Sequence, residues 1–165
     1  MATSLTTTLT FVLKTFYTNA LDLSIPNDPM NLDLKDSFAN GVIIDTADMV
    51  WHDRRSAAAA NDPIDFSAAL TGPLGTVLTF AKIKSIAIHN RSVTIGDFLT
   101  IGGGANEFPL FVAAGDQYAI GPNNIFFIWD PSLAARAVGA GTDTLNVNPG
   151  ANTIEYDIVV IGTTA

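Results

Sequence analysis

The sequence predicts an all-β fold: an antiparallel β-sandwich or jelly-roll-like single domain with an extended N-terminal arm. Three observations predict it. β-Branched and aromatic runs recur along the whole chain, Gly, Pro, Asn and Asp punctuate them, and apolar positions follow a period of two rather than 3.6. Turn signals arrive roughly every 8–12 residues, as in sandwiches. At 165 residues the chain fits one domain with a real core.

Taken in order, Thr6 to Thr18 alternates Leu9, Phe11 and Leu13 with Thr8, Thr10, Val12 and Lys14. Residues 1–18 are therefore an N-terminal arm or first strand, and residues 19–165 the sandwich. Ile25 to Pro29 is a turn cluster, after which Met30, Leu32 and Leu34 alternate with Asn31, Asp33 and Lys35, the polar set facing water. Asn40-Gly41 is a favoured hairpin pair. Val42 to His52 reads as a strand interrupted near Asp45 to Asp48, and Ser56 to Asn61 as a small-residue linker with one helical turn. Gly75 to Asn90 is the longest strand-like run. Further strands are expected over Val93–Ile101, Glu107–Val112, Tyr118–Asp130 and Thr144–Val147, with a helical turn at Ser132–Ala137. In the closing strand Ile154, Tyr156, Ile158 and Val160 share one face, and the second half is apolar on both sides, as in a strand entering a buried or partnered region.

Charged residues make up 15% of the chain, against roughly 25% in an ordinary soluble domain, and mean hydropathy is +0.31. A surface this sparsely charged exposes apolar patches, which mark partner contact; an oligomer or assembly subunit is expected, the plainer alternative being a large core under a Thr/Asn/Ser surface. A net charge of −8 argues against nucleic-acid binding, which rests on clustered Lys and Arg. The absence of cysteine excludes disulfides, thiolate metal sites and cysteine nucleophiles. Nothing reads as a signal peptide or membrane span, so a soluble chain made in the cytoplasm is expected.

Chemistry-bearing motifs are missing: neither G-x-S-x-G, G-x-x-x-x-G-K-[ST] nor H-E-x-x-H occurs. Gly102-Gly103-Gly104 reads as a turn, and His52 and His89 as ordinary strand-end polar residues. Asp45 with Asp48, or Asp62 with Asp65, lacks calcium-loop spacing and reads as turn capping. No cofactor, metal or small-molecule ligand is expected, and enzyme is the last of the function classes. Trp51, Trp129, Phe126 and Phe127 could present an aromatic platform, most simply core filling but otherwise the mark of a carbohydrate- or host-receptor-binding module, the alternative of another class.

Lys82 and Lys84 interrupt the apolar phase of the long strand. Either a β-bulge over Lys82–Ser85 flips the register, or the lysines meet an acidic loop carrying Asp62, Asp65, Asp53 or Glu107. A third reading, edge protection, needs no partner.

The stretch Trp51 to Asn90, with W-x-D-x-R, I-D-F, A-L-T and G-x-x-L-T-F-A-K-I-K in one order, and the Gly-rich Ile101 to Ala105 after it, resembles small structural proteins of tailed bacteriophages. The resemblance covers about half the chain and carries no catalytic residues. It implies a non-enzymatic virion protein, most simply a capsid decoration (cement) subunit, trimeric or otherwise symmetric, that bridges major capsid protein subunits; a tail or tail-fibre-associated protein is the alternative. The arm Ala2 to Leu13 could then pair with a neighbour as an added strand. The residues expected at such an interface are Leu5, Leu9, Phe11 and Leu13 of the arm, Trp51, Arg54, Arg55 and Trp129.

Overall fold

A computed structural model describes residues 4–18, 27–113, 115–132 and 134–165. Its strands in chain order are β1 Thr7–Thr18, β2 Asn27–Asn40, β3 Thr46–Ala47, β4 Met49–Ala58, β5 Asp62–Asp65, β6 Leu70–Thr71, β7 Val77–Leu78, β8 Lys82–Asn90, β9 Leu99–Gly102, β10 Gln117–Ile120, β11 Ile125–Trp129, β12 Arg136–Ala137, β13 Thr144–Asn148 and β14 Thr153–Thr163. No helix occurs among the described residues. The all-β expectation holds.

Two antiparallel sheets form the sandwich, one ordered β10-β9-β13-β5 and the other β11-β8-β14-β4, with β12 added alongside β8. Their inner faces meet in one core. Ile83, Ile86, Ile88, Ile154, Tyr156, Ile158 and Val160 come from one sheet and Ile64, Leu99, Ile101, Ile120, Leu145 and Val147 from the other, sealed by Phe66, Phe80 and Phe108 from connecting segments. The period-two reading of β14 is thus correct. Its doubly apolar end is explained too, since Ile161 enters a second, smaller cluster with Phe38 and Ala47 on the outer side of the sheet.

The expected bulge lies at Lys84. Ile161 of β14 faces Ser85 while Gly162 faces Ile83, so Lys84 is the extra residue, and Ile83 and Ile86 both reach the core. Gly162 is required there by proximity. A Cβ on it would run into the Lys82 carbonyl oxygen and the Phe80 ring.

Several expected elements differ. The Gly75–Asn90 run is two strands, β7 and β8, with a bend over Thr79–Ala81. Ser56–Ala58 extends β4 instead of forming a linker, because pairing with Thr153–Glu155 and burial of Ala57 outweigh local helix preference. Asn40-Gly41 does not turn a hairpin; the chain loops through Gly41–Asp45 and β3 runs parallel to β2. Val93–Phe98 is a loop, held by side chains in place of a partner strand: Asn90 Oδ1 accepts from the Ser92 amide, and Ser92 Oγ accepts from the Thr94 amide while donating to Asp97. Glu107–Val112 is likewise irregular, its Glu107 carboxylate accepting from the Gly103 and Gly115 amides. At Ser132–Ala137, Asp130 and Ser132 cap local amides and Arg136 pairs with Ile83, so the helical turn is replaced by β12.

The N-terminal segment is no free arm. β1 pairs with β2 along its full length, from Thr7 opposite Phe38 to Thr18 opposite Asn27. The division at residue 18 therefore cuts through a hairpin whose connection, including Ile25-Pro26 of the expected turn, lies outside the described residues.

Candidate interaction surface

Facing residues of an antiparallel pair share a side of the ribbon. Phe11 stands opposite Leu34, Leu13 opposite Leu32, and Thr15 opposite Met30, making one apolar side; Thr10 opposite Lys35, Val12 opposite Asp33 and Lys14 opposite Asn31 make the other. Both sides are open. Phe11 is 48% and Leu34 53% exposed, so the alternation of β2 does not turn its leucines inward as the sequence pattern suggests.

The hairpin is tied down at its base. Phe38, fully buried, stacks on Trp129 of β11 with ring centroids 3.9 Å apart, and Trp129 Nε1 donates to the Asp36 carboxylate at 2.6 Å. Leu5 and Val50 pack on the same cluster. Beside this anchor, Leu9, Phe11 and Leu34 from the hairpin and Phe127 and Trp129 from β11 line a mostly apolar groove of about 470 Å³, with Lys35 and Asp36 of the hairpin at its edge. The groove continues the apolar side of the ribbon onto the outermost strand of the sandwich.

Lys84 locks the arrangement from beneath. Its side chain, 1% exposed, donates from Nζ to the carbonyl oxygens of Ile43, Pro131 and Ser132 at 3.1, 3.3 and 2.7 Å. Burial pushes its pKa below the ordinary lysine value, partly countered by Asp130. The ammonium thus clips the loop after β2 to the segment after β11. The acidic partners expected for it are engaged elsewhere: Asp62 with Arg55 and Tyr156, Asp53 with Arg55, Asp65 with the Ser67 and Ala68 amides, and Glu107 with the two glycine amides.

A second apolar surface lies at the far end of β8, where the Val93–Phe98 loop leaves Val93, Ile95 and Phe98 exposed, Ile95 by 98%. Asn90 secures that loop by donating from Nδ2 to the carbonyls of Asp97 and Ile120.

Of the residues expected at an interface, Phe11 and Leu13 are exposed on the ribbon, Leu9 is half-buried on the same side, and Leu5 is half-buried at the base. Trp51 is a correction. Its position on the inward phase of β4 places it in the core, 3% exposed, which removes it from any contact surface or sugar platform. Trp129 has one ring face covered by Phe38. Arg55 is half-buried: it shares the inward phase of β4 and its guanidinium bonds Asp62 of the opposite sheet at 2.6 and 2.8 Å. Burial raises the Asp62 pKa, yet the hydrogen bonds from Arg55 and Tyr156 prevail and leave it lowered. The Tyr156 hydroxyl is pushed up by burial and by Asp62. Arg54 is exposed and pairs with Asp157, which Arg91 also contacts; the hydrogen bond from Arg54 is the main reason the Asp157 carboxyl falls to about 2.

Leu32, Leu34 and Ile95 are surface residues that sequence reasoning missed. For the leucines alternation gave a shared side but not its exposure, which follows from the absence of a layer against that side of the ribbon. Among the described residues, no group of three or more His, Asp or Glu is placed to hold a metal ion. His52 is exposed on β4, and His89 Nε2 lies 3.3 Å from Asn123 Oδ1. No protein-family model, curated protein or solved structure matches the chain.

Proposed function

We propose that the chain is a non-enzymatic structural protein of a tailed-bacteriophage virion, a decoration subunit that stabilises the head by bridging major capsid protein subunits. Two things support this reading: the resemblance of Trp51–Asn90 to small phage structural proteins, and the placement of apolar surface at both ends of a rigid sandwich. The second carries it. A bridging protein needs two adhesive surfaces held apart, and the hairpin base at Ser85 and the Ile95 loop after Asn90 are separated along β8 by about 17 Å of strand.

Adhesion of this kind works by removing apolar surface from water, at about 25 cal/mol per Å², while neighbouring contacts exclude solvent. Its test uses purified protein and expanded heads lacking a decoration layer. Saturable binding is expected, with a rise in the temperature at which heads break open, and Ile95→Asp is expected to weaken binding at least tenfold, the cost of about 1.4 kcal/mol. Heads that neither bind the protein nor gain stability overturn the decoration role. Binding along isolated tails instead would move the protein to the tail.

A further inference from the structure

We propose that the apolar side of the β1–β2 hairpin, together with the groove at Phe127 and Trp129, is covered by the same surface of a second copy of this chain. The proposal goes beyond the virion reading and does not depend on it. Its first support is area. The chain exposes 9579 Å², whereas a compact monomer of 17.4 kDa exposes about 7,900 Å², so the protomer carries an excess of roughly 1,700 Å². Both sides of the ribbon are open, so about half of this excess lies on the apolar side; two protomers that shed that half against each other bury about 1,700 Å² in total, the size of a standard specific interface.

The second support is stability. A two-stranded ribbon with neither side packed is marginal in water, and beyond its anchored base this one leaves Phe11, Leu13, Leu32 and Leu34 all more than two-fifths exposed. Whatever covers it must accompany the chain whenever it is folded. A second copy meets that requirement from synthesis onward; a lattice protein encountered later does not.

Charge supplies the third. Chains of net charge −8 repel unless they meet through a face with little charge. On the apolar side the acidic residues are Asp36, whose carboxylate already accepts from Trp129 Nε1, and Asp28 at the far end opposite Tyr17. Lys14 and Asp33 belong to the other side, and Lys35, paired with Thr10, reaches the rim of the groove beside Asp36. Because Lys35 and Asp36 stand side by side at the groove, identical faces can meet around a rotation axis with opposite charges within reach of each other.

The test is the mass of the purified full chain by sedimentation velocity, with no virion component present. A mass of two or more protomers is expected, and the double variant Phe11→Asp, Leu34→Asp is expected to sediment as one protomer with its β-sheet circular dichroism retained. Ile95→Asp, at the opposite end, should stay assembled. Because the chain has no cysteine, Leu13→Cys adds a unique thiol whose linkage by a bismaleimide reports contact without loss of the apolar side; linked pairs are expected, and Ile95→Cys should yield none. A wild-type chain that remains a single protomer at about 100 μM, far above the Kd of a stable interface, overturns the proposal, as does unchanged mass in the double variant. If the chain is monomeric yet still stabilises heads, this inference fails and the decoration role survives; if it assembles but ignores heads, the reverse holds.

Discussion

Lys84 shows how a charged residue can be structural without a counter-ion. Its ammonium has three carbonyl acceptors, matching its three donors. Two of those acceptors have other donors: the Asp45 amide bonds the Pro131 carbonyl, and Thr46 bonds that of Ile43. Lys84→Met keeps the buried stem but takes from the Ser132 carbonyl the Nζ donor at 2.7 Å. A loss of about 1–3 kcal/mol is expected, seen as a lower urea midpoint with unchanged slope; an unchanged midpoint would show that the clip contributes nothing. Asp157 governs acid behaviour at the other side of the sheet. Its folded value of about 2 lies below the ordinary 3.8, so the folded state binds fewer protons than the unfolded state in that interval. The contribution is complete above about pH 4 and is lost as pH falls towards 2. Asp157→Asn should therefore flatten the acid limb of a stability-versus-pH curve between those values, most visibly at low salt because the pair is exposed.

At the scale of elements, the hairpin depends on its anchor more than on its own pairing. Trp129 holds β2 from β11 through the Phe38 stack and the Asp36 hydrogen bond, a combination in which the aromatic pair alone is worth about 0.5–1.5 kcal/mol beyond area burial. In Trp129→Ala, backbone amides of β1 and β2 should exchange with solvent about tenfold faster or more, while those of Ile86 and Ile88 in the sandwich keep their protection. Equal acceleration of both sets would mean that hairpin and sandwich open as one unit. β1, β2 and β14 were legible because apolar and polar residues alternate over about six residues or more in each, bounded by turn signals. The Val93–Phe98 and Glu107–Val112 segments were not, since their apolar residues imitate strands while Asn90, Ser92, Asp97 and Glu107 satisfy the backbone from their side chains.

At the scale of the whole molecule, the sandwich is closed by polar as well as apolar contacts between its sheets. Arg55 of β4 and Tyr156 of β14 both bond Asp62 of β5, so an inward-phase arginine that looked available for partners instead joins the two layers. The apolar ends of the body follow from this closure: residues that find room between the sheets are buried, and those on the ribbon and the Ile95 loop are left outside. Composition and periodicity by themselves determined the all-β class and the inner face of β14, because each depends on residue type and on a spacing of two along one strand, whereas the bulge near Lys84 was one of three readings open for the lysines until the pairing of β8 with β14 placed it. Only the tertiary structure decided that Trp51 and Arg55 face inward, that Lys84 meets carbonyls rather than carboxylates, and that Leu32 and Leu34 stay outside. Alternation assigns residues to two sides of a strand, whereas burial depends on whether another layer lies against that side, and that is set by contacts distant in sequence.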